Sequence, residues 1–146
     1  IRAQIELALK KIPRISHISS HMGCYNMNAE VKALAKKLAK EYKIDVDPAE
    51  FGVKHVSYSG PKETPEQKVQ SFINMLGELK PGETYLFIDH PGLDTPELPA
   101  IYHIGYEDVA ADRQGVTDAW TDQRVKDAVK QKGIKLISYA ELVRSK

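Results

Sequence analysis

The sequence predicts an α/β fold in which a parallel sheet is flanked by helices, amounting to part of a β/α barrel. Three observations carry that expectation. Short apolar runs rich in β-branched and aromatic residues alternate with longer segments of helical periodicity, and the helical segments carry recognisable start and stop signals. About four strand candidates remain, half of what an eight-stranded barrel needs, so open sheet edges would be left for further strands to cover.

Taken in order, Ile5, Ala8, Leu9 and Ile12 recur at i, i+3, i+4, i+7 and give an opening helix one apolar face, with Pro13 ending it. Ile15 to Ser19 reads as the first strand. Asn28 can cap a second helix whose Val31, Leu34, Ala35, Leu38, Ala39 and Tyr42 keep helical spacing, while Lys32, Lys36, Lys37, Lys40 and Lys43 form a solvated face. Ile44 to Val46 and Val53 to Ser57 are short strand candidates on either side of the Asp47-Pro48 turn signal. Thr64-Pro-Glu-Gln67 combines a capping threonine, proline at the first helical position and glutamine at the capping-box position, so a third helix starts there and buries Val69, Phe72, Ile73, Leu76 and Leu79. Lys80-Pro81-Gly82 stops it and leads into the strand Thr84 to Asp89.

His90 to Gly105, with prolines at 91, 96 and 99, is a long loop carrying one short helical turn near Thr95-Pro96-Glu97. Tyr106 to Trp120 and Asp122 to Lys132 read as two helices, with Thr121 capping the second and Gly133 terminating it. Ile134 to Ile137 is the last strand, and the capping box Ser138-Tyr-Ala-Glu141 opens a terminal helix with Leu142 and Val143. The expected order is α-β-α-β-α-β-α-α-β-α.

A chain of 146 residues with 42% hydrophobic content fits one domain with a real core. Its formal charge of +1, with basic and acidic residues interspersed, argues against nucleic acid as a partner. Cys24 is the single cysteine, so neither an internal disulfide nor a thiolate metal cluster is available. No apolar stretch reaches the roughly 18 to 20 residues of a membrane span, so a soluble chain is expected, with no membrane partner. Ile1-Arg-Ala-Gln-Ile-Glu-Leu looks like the middle of an amphipathic helix rather than a start or a signal peptide, which suggests a piece of a longer protein. Compartment is unknown on these grounds.

The candidates for chemistry are histidines placed where strands end. In parallel α/β architectures ligands and metals gather at the carboxyl ends of strands, and His21 and His90 stand at two such ends, suggesting one shared site. On a strand His17, Ser19 and His21 would face the same way, with positions 17 and 21 roughly 13 Å apart. His21, the last, is taken as a metal ligand; a hydrogen-bonded structural histidine is the alternative. His17 is a deeper residue that either supports the site or packs. His90 is held extended by Pro91 and freed to turn by Gly92; an imidazole fixed at a strand mouth suits proton transfer, the alternative being a ring that only pins the loop.

Asp89 is a lesser candidate, on the strand face opposite to Leu86 and Ile88. Asp94 can cap the turn after Gly92. Arg113 can pair with Asp89, hold a substrate group, or form a surface salt bridge. His55 and His103 default to structure or a pocket rim. Tyr58, Tyr102 and Trp120 can stack on a sugar ring or belong to the core, and Cys24 is a weak thiol nucleophile candidate. No Walker sequence and no Gly-x-Ser-x-Gly elbow is present.

Four stretches, Pro13-Arg-Ile-Ser-His-Ile-Ser-Ser-His21, Leu86-Phe-Ile-Asp-His-Pro-Gly-Leu93, Asp112-Arg113 through Trp120-Thr121, and Gly133-Ile-Lys-Leu-Ile-Ser-Tyr139, resemble the YdjC/ChbG-type (ChbG/HpnK) carbohydrate deacetylases. The resemblance implies a distorted β/α barrel of which residues 1–146 form the C-terminal part, the N-terminal part being absent. It also implies a divalent metal, magnesium or zinc, and removal of N-acetyl groups from amino sugars or chitooligosaccharides. The family's Thr-His-x-Asp-Ser-His pattern falls on Ser16 to His21, carrying its metal histidine to His21; its His-Pro element falls on His90 and its arginine on Arg113 as catalytic residues. His17, Ser19 and Asp89 then belong to the substrate or supporting shell. Ser19 stands where the family has aspartate, and Met22 where it commonly has histidine. The family's Asp-Asp-Phe-Gly segment and early Gly-x-His ligand do not occur here.

The expected partner is an N-acetylated sugar or oligosaccharide, and a homodimer is compatible with the sequence. On this reading the intact protein holds one ion with His21 and upstream ligands, an upstream carboxylate takes the proton of water, and His90 protonates the departing amine. The piece alone would be inactive. Two rivals stay open: another metal-dependent sugar hydrolase or isomerase on the same scaffold, and a non-catalytic carbohydrate-binding or decayed barrel.

Overall fold

In the computed structural model, which describes residues 1–12 and 14–142, helices outweigh strands. The elements are α1 (Arg2–Lys11), α2 (Ala29–Glu41), β1 (Lys54–Val56), α3 (Pro65–Glu78), β2 (Tyr85–Phe87), α4 (Val109–Thr121), α5 (Gln123–Gln131) and α6 (Tyr139–Leu142), with short 3-10 segments at His21–Met27, Pro48–Phe51 and Leu98–Ala100. Pro13 and Val143, expected to end the first helix and to extend the last, lie outside the described residues. Two compact units result: residues 1–52 with the segment from Leu136 onward, and Val53–Lys135. Among the described residues no helix is long and apolar enough to cross a membrane.

In the first unit α1 and α2 share a core of Ile5, Leu38, Ala39 and Ile44, with Leu9, Ile15, Ile18 and Tyr42 packed against it. Asn28 caps α2 as expected, its side chain accepting from the N–H groups of Glu30 and Val31 at 2.8 and 3.2 Å. The five lysines of this region are exposed, as a solvated face requires. Arg2 forms a forked pair with Glu41 at 2.5 and 2.8 Å and donates to the Tyr42 hydroxyl, which donates in turn to Glu6.

The expected strand Ile15 to Ser19 does not form. Ile15 and Ile18 are three residues apart yet pack against one core, which the two-residue alternation of a strand forbids. The backbone is tied by the bond from Val46 N–H to Ser16 O, 3.2 Å, without a ladder. The same holds for Ile44 to Val46, where Ile44 is buried in the helical core instead. Ile134 to Ile137 is also no strand: Ile134 packs on the second unit's core while Leu136 is 80% exposed. Among the described residues the fold is therefore helix-rich α/β with one small parallel sheet.

That sheet lies in the second unit. β1 and β2 pair in parallel, with Lys54 opposite Tyr85, His55 opposite Leu86 and Val56 opposite Phe87, and α3 is the crossover that joins them. Thr64 and Gln67 form the expected capping box at the start of α3. Helices α3, α4 and α5 pack together around Val69, Met75, Leu76, Ala119 and Val125, and Val56 and Phe87 turn toward that core. Helix α4 starts later than expected, at Val109, because the chain from His103 to Tyr106 makes a tight antiparallel bridge first. Asp122, not Thr121, caps α5: its carboxylate accepts from Arg124 N–H at 2.7 Å, whereas the Thr121 hydroxyl donates back to Thr117 O within α4. Gly133 ends α5 at φ +63°, as a left-handed exit requires.

Candidate functional site at the carboxyl end of the parallel strands

Beyond the ends of β1 and β2 the chain places Tyr58 and Asp89, each two residues past a paired strand position. Alternation puts both on the side of Val56 and Phe87, toward the helices. Tyr58 stacks edge-on to Phe87 with ring centres 5.0 Å apart, and Phe87 does the same with Phe72 at 4.7 Å and Trp120 at 6.1 Å. Tyr58 is thus a core aromatic with its polar end at the sheet's rim. Its hydroxyl is buried, with the Asp89 carboxylate beside it. Burial above all, and then the nearby Asp89 carboxylate, raise this phenol's pKa well above its ordinary value.

Below Tyr58 runs a buried lysine. Lys68 of α3 is 2% exposed, its ammonium 2.6 Å from Asp112 of α4 and 5.5 Å from the centre of the Tyr58 ring. Its stem crosses α4 at Gly115, where a Cβ would stand 3.1 Å from Lys68 Cε. The other oxygen of Asp112 accepts from the Tyr106 hydroxyl at 2.5 Å. Burial works against the Asp112 charge, but the hydrogen bonds from Lys68 and Tyr106 outweigh it and hold its pKa below the usual value. Tyr106 is raised, by burial first and then by Asp112, with Arg113 acting in the opposite sense.

Arg113 follows on α4, half-buried, and its Nε is buried with no partner. Among the described residues it makes no ion pair, so the surface salt bridge and the pairing with Asp89 considered from sequence do not form. Asp89 turns one oxygen to the N–H of His90 at 2.8 Å. His90 itself is exposed. Gly92 is bound at both ends of its backbone: its N–H donates to Arg113 O at 3.1 Å and its carbonyl accepts from the Thr117 hydroxyl at 2.7 Å. His90, Asp89 and Arg113 thus sit around one loop-to-helix junction.

Of the other candidates, His17, Ser19, His21 and Cys24 lie in the first unit and His55 and His103 in the second. His17 is half-buried, stacked on Tyr139 with ring centres 4.0 Å apart and its Nδ1 3.2 Å from Ser16 Oγ; burial lowers its pKa. That is a packing environment. Ser19 is exposed. His21 is exposed at the head of the 3-10 segment, where Met22 and Gly23 take φ +51° and +67° and bend the chain sharply. The Cys24 thiol donates to His21 O at 2.7 Å. His103 shares the bridge with Tyr106, and His55 is exposed on β1.

A sequence model of a family described as YdjC-like protein matches residues 1–131. The chain belongs to the YdjC-like family. No curated protein matches it. Among the described residues no group of three or more His, Cys, Asp or Glu side chains is placed to hold a metal ion.

Sequence reasoning missed Lys68, Asp112 and Tyr106. One signal was available: a glycine in the middle of α4 costs about 1 kcal/mol against alanine unless something must pass close to it. Lys68, Ser71 and Met75, buried in one row of α3, were hidden because two of the three are polar.

Proposed function

We propose that the chain is part of a carbohydrate N-deacetylase that removes acetyl groups from amino sugars or chitooligosaccharides on a distorted β/α barrel. What supports the reading is membership of the YdjC-like family over residues 1–131. The local structure is compatible with it: the loop bearing His90 is bonded to the helix bearing Arg113, whose Nε has no protein partner.

The reaction adds water to the acetamide carbonyl, breaks the C–N bond and yields acetate and a free amine. In this scheme His90, exposed and following Asp89, gives a proton to the departing nitrogen, and Arg113 holds a substrate oxygen. His21 would serve as one donor to a magnesium or zinc ion. A zinc centre takes three or four protein donors, and a single imidazole would hold such an ion weakly.

The test is acetate release from N-acetylglucosamine oligosaccharides by the protein at its natural length. His90→Ala should lower kcat about 100-fold or more, the scale of a lost general acid. His21→Ala should abolish turnover. Wild-type protein that binds the sugars and releases no acetate would make this a binding barrel, and unchanged release in either variant would remove that histidine from the scheme.

A further inference from the structure

Among side chains not yet given a role, Thr117 is the one that joins the proposed proton donor's loop to the helix of Arg113. A threonine inside a helix ordinarily turns its hydroxyl back to the carbonyl four residues earlier. Thr117 lies 3.2 Å from Arg113 O in that sense, yet its closer contact, 2.7 Å, crosses to Gly92 O in the loop. A hydroxyl has one proton to give, and the shorter contact takes it.

The remaining bonds converge on the same few residues. Gly92 N–H donates to Arg113 O, Asp94 N–H donates to Gln114 Oε1 at 2.9 Å, and Gln114 is held by Asp118 at 2.7 Å one turn on. On the other flank Asp89 accepts from His90 N–H. The approach at Gly92 is open to glycine alone without displacement: a Cβ there would stand 3.1 Å from Arg113 Cβ and 3.2 Å from Leu98 Cδ2. Pro91 removes one more backbone freedom between the histidine and this junction.

We propose that Thr117 is a positioning residue: its hydrogen bond to Gly92 O sets the His90-Pro91-Gly92 loop against α4, so that His90 and Arg113 are presented at a fixed spacing. Its catalytic consequence rests on the deacetylase reading; its geometry does not. Proton transfer to a leaving nitrogen is sensitive to misplacement well below the width of an atom, so a loosened loop should appear in kcat and hardly in KM.

The experiment compares wild type, Thr117→Val and Thr117→Ser at natural length. In Thr117→Val, amide exchange at Gly92 should accelerate about tenfold while Val116 and Ala119 keep their protection, and kcat for acetate release should fall about tenfold with KM within about twofold. Thr117→Ser, which keeps the hydroxyl, should recover most of both. Unchanged Gly92 exchange in Thr117→Val overturns the proposal, as does released Gly92 with an unchanged kcat. If wild type releases no acetate, the deacetylase reading fails, and the positioning of the loop is then decided by Gly92 exchange and its recovery in Thr117→Ser.

Discussion

Lys68 Nζ lies 2.6 Å from Asp112 Oδ1, with the lysine side chain 3% exposed and the carboxylate 34% exposed. The asymmetry sets the order of damage. Asp112→Asn leaves a nearly dry ammonium without its counter-charge and should cost about 3 kcal/mol; Lys68→Met leaves a carboxylate that still reaches water and Tyr106, and should cost about 1–2 kcal/mol. Urea denaturation of the two variants measures this, and the reverse order would contradict the placement. Because the folded-state pKa of Asp112 is depressed, its contribution is present above the unfolded value and is lost as pH falls through the folded one, a dependence that Asp112→Asn should remove.

Gly115→Ala should destabilise despite alanine's better helix propensity. The new Cβ would meet Lys68 Cε at 3.1 Å and Cδ at 3.3 Å, and that stem is pinned at its far end by Asp112. A net loss of about 1 kcal/mol is expected, the crowding outweighing the propensity gain. In the Lys68→Met background, where the tip is unpinned, the loss should shrink, which a double-mutant cycle reads directly.

His17 should give the first unit a pH dependence near neutrality. Its pKa is lowered by burial, so the folded state binds fewer protons than the unfolded one. Stability is therefore full above the unfolded value of about 6.5 and declines as pH falls from there toward the folded value. His17→Phe keeps the stacking on Tyr139 without the proton. Thermal unfolding between pH 5 and 8 should show a slope for wild type that the variant lacks.

Thr64 and Thr121 look alike as helix-start signals and should behave differently. Thr64→Ala removes a capping box and should cost about 1 kcal/mol. Thr121→Ala loses only a bond back to its own helix and should stay within about 0.5 kcal/mol, whereas Asp122→Ala should cost as a cap does. Equal losses at the two threonines would argue against Asp122 as the cap of α5.

Helices were legible because their signals are local. Asn28 capping α2, the Thr64–Gln67 box and the exit at Gly133 each depend on residues within four positions, and all three form. Strands were less legible. Ile15 to Ser19 has the apolar content of a strand, but a strand exists through its ladder, and content does not say whether partners are in place. The candidate site followed the same division: His90, Asp89 and Arg113 stood out by type and neighbourhood, whereas Lys68 reads as one more surface lysine on a helix rich in polar residues.

By itself the sequence determined that the helices exist, the caps at Asn28 and Thr64 and the exit at Gly133, the two segments that pair as parallel strands with a helical crossover, and membership of a family. Only the tertiary structure decided that Lys68 is buried, that Asp112 is its partner, that Asp89 turns toward the helices, and that Thr117 reaches Gly92 rather than its own helix. The reason is distance along the chain. Caps and periodicity are settled by neighbours a turn apart, but Lys68 and Asp112, 44 residues apart, meet only once α3 and α4 have packed at Gly115.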